Sequence, residues 1–373
     1  MAKNSVKVLV LFFCLASLNI ACGHLVSNKA LEREIPGKRL NKAIRIGYFR
    51  GGRTALFYRA FIDDYFKEEG VEVILKTKIL HESKYLPAPK DINEIRNVKY
   101  FGKVTGEELI EEIVKGNIDG ATVGESAFIL MASKGLPIVA VAMLGHDVSG
   151  RPGHAVIFRK DIVIRDSSDI KGKVLATRRA GPADKIFLLE FLRNEGLEEK
   201  DVKLIEGLPE DRLKFRLENK SIDGAYYHLA MLRRPVEEGK AYIYRKLDWL
   251  KPELSHALLV FSRDFVKNNP QAVESIVKAY VKRIKFEHSL SNEERLRAGK
   301  HEAYSSQVRK ILEMATDFQG MDFPQYDLPP LASLDLLSEM QMLLCRYKYI
   351  AKEVDLMSFI DNSFVEKAYK EAR

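Results

Sequence analysis

The chain has 373 residues, 46% of them apolar, and a formal charge of +8, enough for more than one hydrophobic core. Its charges are well mixed, with no block of five or six of one sign and no aromatic-and-basic motif, which argues against nucleic acid as a partner. No HExxH, CxxC, Gly-x-Ser-x-Gly or Walker pattern occurs, so neither a metal, a cofactor nor a nucleophile relay is expected.

Residues 1–7 carry Lys3 and Lys7 and no acid, and residues 8–21 are almost wholly apolar. Fourteen apolar residues fall short of the about 20 needed to span a bilayer, so residues 1–21 read as a signal peptide. The run Leu18-Asn19-Ile20-Ala21-Cys22 resembles a bacterial lipobox, with Asn19 where Leu is usual, and makes Cys22 the expected lipidation site. Loss of the segment lowers the charge from +8 to +6. Residues 22–42 are polar and read as a tether. With Cys22 acylated, Cys345 is the one thiol left, set among Met342, Leu343 and Leu344 as a core side chain.

A pattern then appears twice. The first copy opens with an apolar strand at residues 43–49, a glycine-bearing loop (Arg50 to Thr54), and a helical stretch with Leu56, Ala60, Phe61 and Tyr65 on one face, ending at Gly70. A strand at 71–75 follows, then an amphipathic helix at 107–115 with Leu109, Ile110, Ile113 and Val114 on one side, then Ile118-Asp119-Gly120-Ala121 entering a third strand. The second copy has a strand at 174–177, a loop at 178–182, a helix to Gly196, a strand at 202–205, a helix near 213–217, and Ile222-Asp223-Gly224-Ala225. Gly70 and Gly196 both suit the position after a helix, where positive φ costs glycine little. Asp119 and Asp223 read as structural turn residues. The first copy is longer by 22 residues, which places an insertion near 81–104.

Between the copies, residues 137–144 form an unbroken apolar strand; strands at 156–158 and 257–261 bracket the second copy as crossovers. From Pro270 the chain is mainly helical, with Val273, Ile276, Val277, Tyr280, Val281 and Ile284 on one face and a long helix at 334–349. The expected fold class is α/β, two similar lobes with mostly parallel sheets around a ligand cleft, plus C-terminal helices. The expected division is 43–155 for the first lobe, 156–256 for the second, and 257–373 for a crossover strand and helices returning to the first.

Residues 44–49, 115–128 (Lys-Gly-Asn-Ile-Asp-Gly-Ala-Thr-Val-Gly-Glu-Ser-Ala-Phe), 168–173, 257–270 and 359–368, in that order, resemble the type II periplasmic binding proteins of taurine, sulfonate, nitrate and thiamin-precursor importers. The resemblance implies a non-enzymatic, monomeric, extracytoplasmic and membrane-anchored solute-binding lipoprotein of an ABC importer. Its implied partners are a small solute and permease subunits. Some relatives are biosynthetic enzymes that use a Cys-rich motif, which is absent here.

In an open parallel sheet the ligand lies outside the carboxyl ends of the strands. Those ends carry Tyr48, Arg50 and Gly51; Glu125 and Ser126; His146 and Asp147; Arg178, Arg179 and Gly181; and Tyr226. Gly51 lets backbone approach a ligand, Ser126 can cap its helix, and Glu125 would select an amine or ring N–H. Strand alternation turns at most one of Arg178 and Arg179 to the cleft, where a guanidinium holds an anion in bidentate fashion. The relatives' hydroxyl is missing from this loop. Among Tyr48, Tyr226, Tyr227 and Trp249, Tyr226 is the best candidate for a stacking wall. These residues point to a small anionic or zwitterionic organic solute of the sulfonate, taurine or nitrate kind, with a thiamin-type pyrimidine as the alternative.

Overall fold

The computed structural model describes residues 43–49, 52–78, 85–87, 104–147, 153–178, 182–208, 210–247, 249–291, 294 and 325–371. The signal segment, the tether with Cys22, most of the 81–104 insertion, and Arg50, Gly51, Arg179 and Gly181 lie outside the described residues.

Each copy of the repeat builds a three-strand parallel nucleus. In the first, β1 (Ile44–Tyr48) runs parallel to β2 (Val73–Lys78) on one side and β4 (Gly120–Gly124) on the other. In the second, β7 (Val174–Thr177) lies likewise between β8 (Lys203–Ile205) and β9 (Gly224–His228). The connections are helical: α1 (Ala55–Ile62), α2 (Tyr65–Glu68) and α3 (Gly106–Val114) in the first copy, α5 (Pro182–Asn194) and α6 (Glu210–Glu218) in the second. A reciprocal Thr105–Glu108 capping box starts α3. Its buried stripe is Leu109, Ile110 and Ile113, whereas Val114, expected on that face, ends the helix 43% exposed.

The echo extends to hydrogen bonds. Gly70 and Gly196 have φ of 76° and 70° and donate to the carbonyls of Lys67 and Arg193, closing both helices alike. The Asp119 carboxylate accepts from the Arg45 N–H while its own N–H donates to the Arg45 carbonyl, both at 2.8 Å. Asp223 does the same with Val174, again at 2.8 Å. Both aspartates therefore tie the turn before one strand to the start of its neighbour.

Antiparallel strands complete each sheet and make both mixed. The first sheet has the order β3-β2-β1-β4-β11-β5, with β3 (Tyr85–Pro87) at one edge and β11 (His256–Ser262) between β4 and β5 (Ile138–His146). The second has the order β10-β6-β9-β7-β8, where β6 is His154–Arg159 and β10 is Ala241–Lys246. The chain thus passes from the first sheet to the second through residues 147–153 and back through 247–255. Strand β6 begins two residues before the expected start, which brings His154 into register.

Of the C-terminal helices, α9 (Pro270–Ser289) buries Val273, Ile276, Val277, Tyr280, Val281 and Ile284 in one core with β1 and β2. At roughly 1.5–3 kcal/mol per buried side chain, this outweighs surface pairs such as Lys278–Glu371, each worth about 1 kcal/mol at most. Helix α10 (Leu334–Arg346) is three residues shorter than expected; Tyr347 closes it and Lys348 turns left-handed with φ of 61°. Cys345 on it is a partly buried free thiol packed against the core, and burial raises its pKa.

Candidate functional site

Strands β1, β4 and β5 run in one direction, so their carboxyl ends share an edge of the first sheet; β7 and β9 do the same in the second. The crossover strands β11 and β6 run the other way and bring their first residues to those edges. Two cross-strand histidine pairs result: His146 opposite His256, and His154 opposite His228.

Asp147 stands where the chain leaves the first sheet. Its N–H donates to the Ser255 carbonyl at 3.2 Å, which ties the two crossovers together. Arg53, in the 3-10 turn Gly52–Thr54 after β1, donates its Nε to Asp147 Oδ1 at 3.1 Å. Gly145 makes that approach possible, since a Cβ there would sit 2.8 Å from the Arg53 carbonyl oxygen. On the far side, Asp147 Oδ2 lies 3.3 Å from His154 Nε2 and 3.4 Å from His228 Nε2. These are ion-pair separations without hydrogen-bond alignment, and Oδ2 has no hydrogen-bond partner among the described residues. A Cβ on Gly153 would stand 2.7 Å from Oδ2, so glycine leaves room beside it. Burial pushes the Asp147 carboxyl up, but Arg53, then His228 and His154, outweigh it and hold the pKa well below the usual range. Asp147 is a buried carboxylate.

His154 stacks on Tyr226 with ring centroids 5.4 Å apart and 8° between planes, and Tyr226 Oη lies 2.6 Å from Nδ1. Burial, then the nearby Asp184, raise the Tyr226 pKa well above normal, so the phenol keeps its proton and donates to Nδ1. Burial also lowers the His154 pKa, which leaves a neutral ring with its hydrogen on Nε2. That nitrogen faces both Asp147 Oδ2 and Ser255 Oγ, the latter at 3.3 Å. A Ser–His–acid relay needs hydroxyl and carboxylate on opposite ring nitrogens. Here they share one, and the group does not form such a relay.

Glu125 and Ser126 open α4 (Glu125–Ser133), and both are buried. Burial pushes Glu125 up to about 7 against the pull of Arg53, and its carboxylate accepts from the His256 N–H at 3.3 Å. The His256 Nδ1 faces the carbonyls of Glu253 and Leu254 and so carries the ring hydrogen; Nε2 is buried without a partner among the described residues. Burial pushes His256 down to about 4. His146 sets Nδ1 against the Asp147 carbonyl at 2.6 Å and Nε2 3.1 Å from Asp327 Oδ1. Burial would lower its pKa, but Asp327 raises it above normal.

The remaining expected residues divide. Arg178 places Nε 3.4 Å from Asp184 Oδ2 at the start of α5. Tyr48 is buried and stacked on Tyr58 at 5.2 Å. Tyr226 has no exposed surface, so it supports His154 from behind, and Tyr227 is buried with its hydroxyl on the Leu208 carbonyl. Trp249 is 36% exposed. Sequence reasoning did not select Arg53, His154, His228 or His256. Arg53 shared its loop with Arg50, and the histidine pairing depends on register between distant strands.

A two-sheet α/β body with two crossovers and a charged, histidine-bearing junction defines the class. Residues 97–288, just over half of the chain, match the NMT1/THI5-like family, and the chain belongs to it. The resemblance read from the sequence therefore holds. Among solved structures, the putative periplasmic sulfonate-binding protein SsuA from Methylobacillus flagellatus KT is 19% identical, with TM-score 0.63, covering 88% of this chain and 94% of that one. The periplasmic nitrate-binding protein NrtA from Synechocystis PCC 6803 is 13% identical, with TM-score 0.62 and 88% of each chain covered. The desulfurization enzyme DSZB is 15% identical, with TM-score 0.58, covering 88% of this chain and all of that one. No curated protein matches the sequence.

Proposed function

We propose that this chain is an extracytoplasmic solute-binding lipoprotein of an ABC importer, anchored through Cys22, that closes two lobes on a small anionic or zwitterionic organic solute. The lobes are residues 43–155 with the returning C-terminal helices, and 156–256. The observation that carries the reading is Arg53. Asp147 fixes its guanidinium through Nε at the strand-end edge, and its terminal nitrogens have no partner among the described residues. A guanidinium held this way offers parallel N–H groups to a sulfonate or carboxylate. Family membership and the likeness in fold to sulfonate- and nitrate-binding proteins support it. The second reading, a pyrimidine-type solute, draws on the flat His154–Tyr226 stack and on Glu125.

Thermal unfolding of the purified protein against sulfonates, carboxylates, nitrate and pyrimidines tests this. A ligand at 100 times its Kd stabilises by about 2.7 kcal/mol. A midpoint raised by an acid supports the proposal; a rise with pyrimidines alone selects the second reading. Turnover of a ligand by the isolated protein would overturn the non-enzymatic role.

A further inference from the structure

We infer that Glu190, Arg346 and Tyr347 form a latch between the lobes, which holds the hinge in its present alignment and lets go when the lobes turn. The inference goes beyond the solute-binding reading: it rests on movement of the lobes alone and names no solute.

Three observations carry it. First, the latch joins parts that belong to different lobes. Helix α10 is built into the first: the Ala332 N–H donates to Asn362 Oδ1 at 2.9 Å, the Asp361 N–H donates to the Ala140 carbonyl of β5 at 2.9 Å, and the helix packs along α4. Glu190 lies on α5 of the second lobe, between β7 and β8. Second, α10 runs from the hinge to the second lobe. Midway along it Glu339 sits 2.5 Å from Lys251 of the returning crossover, whose turn Pro252–Leu254 packs on the same helix. Arg346 comes about two turns later, roughly 10 Å along the axis. A twist at the crossover therefore moves α5 against the end of α10. Third, the contact at that end is polar and directional. The Glu190 carboxylate, 3% exposed, accepts at 2.7 Å from both Arg346 Nη1 and Tyr347 Oη. Burial would raise its pKa, but Arg193, Tyr347 and Arg346 hold it below the usual range, so the group is charged. Apolar side chains of α4 and α5 can slide past one another at little loss, whereas a buried carboxylate is penalised for each donor it gives up. Arg193 makes the contact reversible. It sits on the same helix as Glu190, donates to Oε2 at 2.8 Å and travels with it, so the charge keeps a partner when the latch opens.

Hydrogen exchange on the purified, ligand-free protein tests this, comparing the wild type with Arg346→Met/Tyr347→Phe. Amides of the returning crossover, Leu247, Leu254 and Ser255, should exchange about ten-fold faster in the variant, while those of the β1–β4 and β7–β9 ladders keep their protection. Where the double variant fails to fold, Tyr347→Phe alone should speed the same amides by about three-fold. Unchanged exchange in the crossover overturns the latch. So does a rise shared equally by both ladders, which would mark Glu190 as an ordinary stability contact. Because no ligand is present, the result stands apart from the solute reading: a panel of acids that leaves the thermal midpoint unmoved would sink that reading and not this one.

Discussion

The two copies of the strand–helix repeat share a frame and differ at the ends that face the cleft. Each ties its third strand to its first through one aspartate, Asp119 or Asp223, and closes a helix with one glycine, Gly70 or Gly196. At the cleft the equivalence stops. After β1 the first copy offers Arg53, fixed by a residue of the crossover; after β7 the second offers Arg178, set against Asp184 of its own helix. After β4 the next helix begins with the buried acid Glu125; after β9 it begins with the buried Leu229. Backbone geometry is common to the copies, and chemistry is particular to each.

The largest expected effect separates the arginines. Arg53→Ala should weaken solute binding about 100-fold, near 3 kcal/mol, and Arg178→Ala at most ten-fold, both by calorimetry. Equal losses would break the asymmetry. Next comes Glu125. Its folded pKa of about 7 lies above the ordinary 4.5, so the folded state holds a proton that the unfolded chain has lost between those values, and stability falls as pH rises through that window. Its ionisation works against folding by about 3 kcal/mol at pH 8, so Glu125→Gln should stabilise by about 2 kcal/mol there and by almost nothing at pH 4. His256 has the opposite sign. With a folded pKa of about 4 against 6.5, it stabilises increasingly as pH rises from 4 to 6.5. The two slopes oppose each other in the wild type, so Glu125→Gln should expose a rise across that range in urea midpoints.

Smaller effects sharpen the shared frame. Asp119→Ala and Asp223→Ala should each cost about 2 kcal/mol in urea unfolding, since each removes charge-assisted bonds to a neighbouring strand. A neutral Asp223→Ala would show that the two frames are not equivalent. Gly145→Ala should cost about 1 kcal/mol in the same measurement and weaken solute binding, because its Cβ would displace the Arg53 backbone.

The frame was legible because its signals are local. Apolar runs of five residues, a Gly closing the first helical stretch of each copy and a repeated Ile-Asp-Gly-Ala all lie within a few residues of what they determine. The junction was only half legible. Asp147, Glu125 and Arg178 were found as residues at strand ends, but partners were not, because Arg53–Asp147 and His154–Asp147 depend on how strands far apart in sequence align. Tyr226 shows the limit of chemical type: an aromatic at a strand end was expected to face the ligand, and burial places His154 on its face instead. The antiparallel character of β11 and β6 was equally hidden, since a buried strand reads alike in either direction.

Helix α10 has a consequence for proteolysis and truncation. It packs against both α4, which follows a strand of the first sheet, and α5, which follows one of the second. Glu190 of α5, its side chain 3% exposed, accepts from both Arg346 and Tyr347 at 2.7 Å. A chain ending at residue 333 would keep both sheets and both crossovers, yet leave Glu190 with only Arg193 of these partners and strip the apolar cover from two helices. Such a fragment should retain every residue of the junction and still bind solute poorly, because the helix that packs on both α4 and α5 is gone.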